Sequence, residues 1–218
     1  MSSSAASAVF VSEEHQYQLE SFRVPRCYDD DLAYVMLPEG LIRDRVKRMA
    51  EEASAALGEA EVTALCVLKG GYRFFATLME ELSSVRMASR HPLAVEFIRL
   101  QSYANTESMG EVKVVGANPL HELKGRHVLV VEDLVDTGLT MSKLVEKLRQ
   151  HEPASVHVAC LFHKRLNHRT GTGYSPDFVG FDIPDKFVVG YGLDYNQKFR
   201  DLNHVCVMNH KGIERHKE

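Results

Sequence analysis

Residues 128–141 have the sequence VLVVEDLVDTGLTM, an apolar run followed by two adjacent acids, a short polar loop and the start of a helical pattern. After the loop, apolar side chains follow the i, i+3, i+4, i+7 spacing, at Met141, Leu144, Val145 and Leu148. The spacing predicts a helix from about Leu139 to Gln150, which places residues 136–140 at its N-terminus. A buried strand that leads directly into a helix is typical of α/β proteins.

The loop at 136–140 has the features of a phosphate-binding loop. Free backbone N–H groups and the helix dipole attract an anion to a helix N-terminus. Gly138 allows the backbone to approach closely, and the hydroxyls of Thr137 and Thr140 can donate to phosphate oxygens. The alternative is that Thr137 or Asp136 only caps the helix.

Glu132 and Asp133 stand side by side at the end of the predicted strand. Uncompensated charge is costly there, so we expect ribose hydroxyls or a metal ion as partners. Neither GxxxxGK[ST] nor GxGxxG occurs in the chain, which excludes a Walker site and a dinucleotide fingerprint.

Strand-like and helix-like patterns alternate on both sides of this segment. The predicted helices are Gly40–Leu57, ended by Gly58, and Tyr72–Val85, and the predicted strands are Val62–Leu68, Ala94–Leu100, Val128–Val131, Val156–Phe162 and Phe187–Tyr191. The rhythm predicts a mainly parallel sheet with helices on both faces. Ligands bind such sheets beyond the carboxyl ends of the strands.

The composition is that of a globular protein with one domain spanning 1–218, of which about 1–12 are expected to be disordered. Among 218 residues, 44% are apolar and the net charge is -4, so nothing drives general binding to nucleic acid or to anionic membrane. No apolar stretch is long enough for a membrane span. The four cysteines form no CxxC pair and are predicted to be reduced core residues. We therefore expect a cytoplasmic protein without nucleic-acid or membrane partners.

Five segments carry a resemblance to a known family. They are LCVLKGGYRFFA at 65–76, VEFIRLQSY at 95–103, VEDLVDTGLTM at 131–141, YSPDFVGFDIPDKFVVGYGLDYN at 174–196 and FRDLNHVCV at 199–207. Together they resemble the type I phosphoribosyltransferases, especially the members that act on hypoxanthine and guanine, from about Val11 to Asn209. The resemblance implies an α/β fold with a core at about 40–190, a small hood from the N- and C-terminal segments, and a homodimer or homotetramer.

The activity that the resemblance implies belongs to purine salvage. The phosphoribosyl group of phosphoribosyl pyrophosphate is transferred to hypoxanthine or guanine, giving IMP or GMP and pyrophosphate, with Mg²⁺ as cofactor. Asp136 is implied as the general base. The alternative is a catalytically weak paralogue that binds nucleotides as a regulator.

The resemblance also implies the residues that bind the pyrophosphate. Lys69 and Gly70 would form its loop, often with a non-proline cis peptide, although an ordinary turn between strand and helix also explains their sequence. Ser102 and Tyr103 would close over the pyrophosphate as a flap, where the alternative is a solvated loop. Arg200 would clamp the same group with its planar guanidinium.

The remaining implied residues bind the nucleotide and the purine base. Lys164 would donate to O6, although a solvated basic pair with Arg165 is the alternative, and Phe187 would stack on the base, although core packing is its default role. The backbone of Val188 would pair with the base edge. The phosphate loop would consist of Thr137, Gly138, Leu139 and Thr140. The metal ligands would be Glu132, Asp133 and Asp194.

Three positions depart from the family pattern. Gln101 and Leu139 stand where Lys is common, and His163 replaces a small apolar residue before Lys164. These changes leave the regulatory alternative open.

Overall fold

The computed structural model describes residues 8–102, 112–116, 119–166 and 173–217, with the backbone alone at 101, 102, 112 and 113. The strands are β1 Val9–Phe10, β2 Leu32–Leu37, β3 Val62–Leu68, β4 Leu93–Ser102, β5 Val112–Gly116, β6 His127–Val135, β7 Ser155–Arg165, β8 Phe178–Pro184, β9 Val188–Val189 and β10 Val205–Met208. The α-helices are α1 Glu39–Leu57, α2 Tyr72–Val85, α3 Leu139–Arg149 and α4 His210–Arg215.

Seven strands form the main sheet, in the order β1-β8-β7-β6-β3-β4-β5. β5 pairs antiparallel with β4, and the other neighbours pair in parallel. The carboxyl ends of β3, β6 and β7 therefore lie side by side, at the edge where ligands bind in such sheets. The predicted mainly parallel α/β sheet is confirmed.

Helices cover both faces of this sheet. α1 and α2 contribute their apolar side chains to one core cluster, and α3 contributes Met141, Leu144, Val145 and Leu148 to the cluster on the opposite face. The predicted bounds of α1 and α2 are confirmed to within one residue. Gly58 ends α1 with a φ of 57°, a conformation that glycine adopts at little cost.

Two central strands run further than the sequence predicted. β6 continues through the acidic pair to Val135, and β7 continues through Lys164 to Arg165. The ladder between them persists, with Glu132 opposite Cys160 and Val135 opposite His163, so polar residues remain in the strands beyond the apolar runs. The acids thus lie inside the strand rather than after it.

A second, three-stranded antiparallel sheet has the order β2-β10-β9 and forms the hood. The prediction that Phe187–Tyr191 continues the parallel alternation is wrong, because only Val188–Val189 is a strand and it pairs antiparallel with β10. Residues 185–187 are too short a connection from β8 for a parallel crossover, which needs a dozen or more residues.

The cysteine prediction is correct for three of the four thiols. Cys66, Cys160 and Cys206 are buried and free, whereas Cys27 is free but exposed, because it lies in a short surface turn before β2. No helix among the described residues combines the length and the apolar character that a membrane span requires.

Candidate functional site

Two cavities flank the end of β6. Glu132, Leu134, Asp136, Thr137 and Thr140 line one of about 310 Å³, the α3 cavity. Asp133 and Leu134 line the other, of about 280 Å³, together with residues of the hood, and we name it the hood cavity. Successive side chains of a strand point to opposite faces, so the two acids serve different cavities although they are neighbours in sequence.

The loop before α3 presents backbone N–H groups to the α3 cavity. Gly138 is the N-cap residue, in a left-handed conformation with φ 77° that a side chain would disfavour. Gly138 therefore occupies the N-cap position that the sequence offered to Asp136 or Thr137. The Thr137 hydroxyl accepts a long hydrogen bond of 3.4 Å from the N–H of Leu139. The loop has the geometry of an anion-binding helix N-terminus.

The surroundings of the acidic pair on β6 disfavour the ionised forms of both carboxyls. Burial raises the pKa of Glu132 well above its usual range, and the neighbouring carboxyl of Asp133 adds to this effect. Burial also raises the pKa of Asp133, although hydrogen bonds with Glu132 and from the N–H of Leu134, at 2.8 Å, oppose the rise. Two buried carboxyls with raised pKa values favour a shared proton, and a cation that took its place would restore the ionised forms.

The loop after β3 lies directly against this pair. The Leu68–Lys69 peptide is cis, and a Cβ atom at Gly70 would overlap with the carboxylate of Asp133. The ammonium of Lys69 donates to Oε1 of Gln197 at 2.8 Å. Glycine is thus required at position 70 because no side chain fits between the loop and the acid.

Gly70→Ala should lower kcat/KM for the phosphoribosyl pyrophosphate that the resemblance implies by about 10², because the added methyl displaces the loop or the carboxylate by an ångström or more. Steady-state kinetics with the purine saturating measures the change. The matched control is Gly40→Ala in α1, where an added Cβ meets no atom within 4 Å. Activity of Gly70→Ala within a few-fold of the unmodified protein would contradict the close approach of this loop to Asp133.

The hood cavity combines a lysine from the main sheet with an aromatic ring from the hood. Lys164, at the end of β7, has a side chain only 13% exposed, and its Nζ lies 3.3 Å from Oδ1 of Asp185. The ring of Phe187 is partly exposed and contacts Tyr195 edge-on at 4.9 Å. Val188 is buried beside it in β9. An ammonium donor near an exposed aromatic face suits a flat ligand with a carbonyl oxygen.

Asp194 and Arg200 form an ion pair at the rim of the same cavity. Nη2 of Arg200 lies 2.7 Å from Oδ1 of Asp194, and Nη1 donates to the carbonyl of Gly192 at 2.7 Å. The other carboxylate oxygen of Asp194 accepts from the N–H of Gln197 at 2.8 Å. Arg200 therefore holds the carboxylate of Asp194 in place. The guanidinium of Arg200 also stays near the loop at 69–70, because its partner Gly192 packs against Gly70.

Among the described residues, no group of three or more His, Cys, Asp or Glu side chains is arranged to hold a metal ion. The predicted ligand set of Glu132, Asp133 and Asp194 is accordingly not a preformed cage, and it stays a prediction. Carboxylate oxygens are nevertheless the donors that Mg²⁺ prefers, and Mg²⁺ often binds one or two carboxylates together with substrate phosphates.

The structure brings most of the predicted site residues to one edge of the sheet. The side chain of Ser102, the side chain of Gln101 and all of Tyr103 lie outside the described residues, so the predicted flap stays a prediction. Sequence reasoning missed two residues that hydrogen-bond to predicted ones, Asp185 with Lys164 and Gln197 with Lys69. It also missed Leu193, which lines the hood cavity. Only Leu193, in an apolar context beside Asp194, left a signal that could have been used.

Comparison with known proteins identifies the family of the chain. Residues 37–196 match the phosphoribosyl transferase domain family. The chain is 48% identical to the hypoxanthine-guanine phosphoribosyltransferase of Rattus norvegicus and 47% identical to that of Homo sapiens, and each alignment covers 100% of both chains. Among solved structures it is similar to the hypoxanthine-guanine phosphoribosyltransferase from Schistosoma mansoni in complex with IMP, with a TM-score of 0.81 and 36% identity over 96% of this chain and 99% of that chain. The chain therefore belongs to the phosphoribosyltransferase family, in the branch of the hypoxanthine-guanine enzymes.

Proposed function

We propose that the protein transfers the phosphoribosyl group of phosphoribosyl pyrophosphate to hypoxanthine or guanine, forming IMP or GMP and pyrophosphate in purine salvage. The observation that carries this proposal is the pair of cavities on either side of β6. One is lined by the loop at the N-terminus of α3, and the other is lined by a half-buried lysine and an aromatic ring. The related proteins named above support the same substrates, because the solved relative was in complex with IMP.

The α3 cavity would hold the phosphoribosyl portion of the donor and then of the nucleotide. The N–H groups and hydroxyls at 137–140 bind the phosphate, and Glu132 accepts hydrogen bonds from the ribose hydroxyls. Lys69 and Arg200 place positive charge beside the departing pyrophosphate, where negative charge develops as the bond to C1′ breaks. These residues act on the leaving group and the sugar, not on the purine.

The hood cavity would hold the purine base. Lys164 donates to O6, which favours 6-oxopurines over adenine because adenine carries an amino group at that position. Phe187 stacks on the ring and the backbone of Val188 pairs with its edge. Asp136 lines the α3 cavity, which meets the hood cavity at Leu134. N9 attacks C1′ as the bond to pyrophosphate breaks, and Asp136 takes the proton displaced at N7 from that side, so Asp136 is the general base.

Magnesium fits this site through the chemistry of its donors. Glu132 and Asp133 are adjacent carboxyls whose pKa values are raised, chiefly by burial, although the charge of Arg200 opposes the rise at Asp133. They would hold Mg²⁺ together with substrate oxygens, and the ion would supply the positive charge that lets a diphosphate approach two carboxylates. Asp194 lines the hood cavity together with Asp133 and would contribute a carboxylate from that side.

A spectrophotometric assay with hypoxanthine or guanine, phosphoribosyl pyrophosphate and Mg²⁺ tests the proposed function. We expect turnover with both bases and none with adenine. The alternative, a regulatory nucleotide-binding paralogue, keeps the support of two departures from the family pattern, Gln101 and Leu139. Intact binding of IMP in calorimetry without any turnover would favour that alternative.

Lys164→Ala should raise KM for hypoxanthine by about ten- to a hundredfold, because a charged hydrogen bond to O6 contributes roughly 1.5 to 3 kcal/mol. Affinity for phosphoribosyl pyrophosphate should stay unchanged, since Lys164 lies on the hood side of β6. Calorimetry with each ligand measures both effects. Lys124→Ala, which removes a surface lysine paired with Glu152, is the control. An equal loss of affinity for both ligands would contradict the assignment of Lys164 to O6 of the purine.

We also propose, from the resemblance to the family, that the protein is a homodimer or homotetramer in the cytoplasm and that residues 1–218 form one domain. Light scattering coupled to size exclusion distinguishes the two assemblies. A monomer with full activity would overturn this part of the proposal.

A further inference from the structure

The C-terminal helix α4 is fixed to the segment that precedes β2. Asn209 caps the helix by accepting from the N–H of Gly212 at 2.8 Å, and its Nδ2 donates to the carbonyls of Asp30 and Leu32 at 2.8 and 3.1 Å. A Cβ atom at Gly212 would overlap with the backbone of Asp31. This close contact makes α4 a firm base for the residues that follow it.

His216 follows α4 and joins two separate parts of the chain. Its Nε2 lies 2.8 Å from Oδ2 of Asp31, whose side chain is 1% exposed, and its Nδ1 lies 2.9 Å from Nζ of Lys198. A carboxylate only accepts and an ammonium only donates, so Nε2 carries the hydrogen and Nδ1 accepts. The carbonyl of His216 also accepts from Nδ2 of Asn196 at 2.6 Å. One residue thus anchors the segment 196–198 to the buried carboxylate of Asp31.

The anchored segment has an unfavourable backbone. Asn196, Gln197 and Phe199 have φ values of 48°, 66° and 70°, in the left-handed region that residues other than glycine seldom adopt. Such conformations persist where the surrounding structure holds them. The ring of His216 also packs edge-on against Phe199, with centroids 5.1 Å apart. His216 therefore contacts this strained segment at three of its residues.

The same segment reaches the pyrophosphate loop. Oε1 of Gln197 accepts from the ammonium of Lys69 at 2.8 Å, and the N–H of Gln197 donates to Asp194 at 2.8 Å. We propose that His216 is a positioning residue, which holds segment 196–199 so that Gln197 places Lys69 and Asp194 for binding of the phosphoribosyl donor. This inference rests on the proposed function, because it assigns Lys69 to the donor.

The test uses His216→Ala in the full chain and compares KM for phosphoribosyl pyrophosphate with KM for hypoxanthine. We expect KM for the donor to rise by about 2- to 30-fold, the range in which substitutions within packed networks change coupling between sites. KM for hypoxanthine should keep its unmodified value. Lys217→Ala is the matched control, since this neighbour is 66% exposed and pairs with Glu214 at 3.8 Å.

Two conservative variants separate the two ring contacts. His216→Asn keeps an acceptor near the position of Nδ1 for Lys198, and His216→Gln keeps a donor near Nε2 for Asp31. If the ring acts through Lys198, the Asn variant should restore KM for the donor and the Gln variant should not. An unchanged KM for the donor in His216→Ala, or equal rises in both KM values with a lower melting temperature, would overturn the proposal.

Lys198→Met tests the same link from its exposed partner if substitutions at His216 prevent folding. We expect KM for the donor to rise. Where His216→Ala folds, the double variant should show a smaller rise than the two single rises combined, since both substitutions remove the contact between His216 and Lys198. An unchanged KM would overturn the proposal. Absent turnover in the unmodified protein would contradict the proposed function instead, and donor binding measured by calorimetry would then test His216 directly.

Discussion

Asp136→Asn should lower turnover by about 10² to 10⁴, the range over which a positioned acid or base contributes to catalysis. Asp136 lies exposed in the α3 cavity, in the loop that we propose binds phosphate, although its own carboxylate would repel that group. Gly138 occupies the N-cap position, so Asp136 has no capping task that would explain it. A general base for the proton at N7 of the purine does explain it.

The variant should otherwise resemble the unmodified protein. Asn has nearly the same shape, so we expect a change of less than about 0.5 kcal/mol in the free energy of unfolding, as for other exposed substitutions. Affinity for IMP should also persist. Pre-steady-state kinetics, denaturant unfolding and calorimetry measure the three quantities, with Asp44→Asn on the exposed side of α1 as control. Turnover within a few-fold of the unmodified protein would mean that Asp136 is structural and that another group takes the proton.

Removal of divalent cations with EDTA should abolish turnover, and excess Mg²⁺ should restore it. The loop at 69–70 lies against Asp133, so a diphosphate bound there would meet the carboxyls of Asp133 and Glu132 and would need a cation between them. Their pKa values are raised, which means that the pair keeps a proton at pH values where isolated carboxyls are ionised. A bound cation lowers these pKa values, so its binding with the donor should release protons.

Calorimetry in two buffers with different ionisation enthalpies measures that proton release. The release should be largest between the ordinary pKa of a carboxyl and the raised pKa of the pair, and it should disappear at lower pH, where the proton competes with the ion. Glu152→Gln, which removes an exposed acid paired with the surface residue Lys124, is the control. Full turnover in metal-free buffer would contradict this prediction.

The sequence predicted those parts of the fold that depend on local pattern. The bounds of α1 and α2 follow from unbroken apolar periodicity, and Gly58 marks the end of α1. The extension of β6 through Glu132 could not be predicted, because it depends on pairing with Cys160 in another strand. The antiparallel hood sheet likewise depends on pairing between β2 and β10, which are far apart in the chain.

The residues of the candidate site could likewise be predicted where the signal is local and not where it depends on distant parts of the chain. The phosphate loop at 136–140 and the acidic pair could be inferred from residue types next to a predicted strand. Lys164 and Phe187 were singled out only through resemblance, because a lysine or an aromatic at a strand end is usually surface or core. The contact between Lys69 and Gln197 joins residues 128 positions apart and left no local signal.

The division of the site by one strand bears on how the two substrates are recognised. Leu134 lines both cavities, while Glu132 faces one and Asp133 the other. Substitutions at Lys164 or Phe187 could therefore alter the choice of nucleobase without disturbing the residues proposed to handle the sugar and its phosphates. A bivalent inhibitor would have a purine-like ring and an anionic group joined by a linker across Leu134, and it would gain binding affinity from contacts in both cavities. Resistance to such an inhibitor would require changes on both sides of β6.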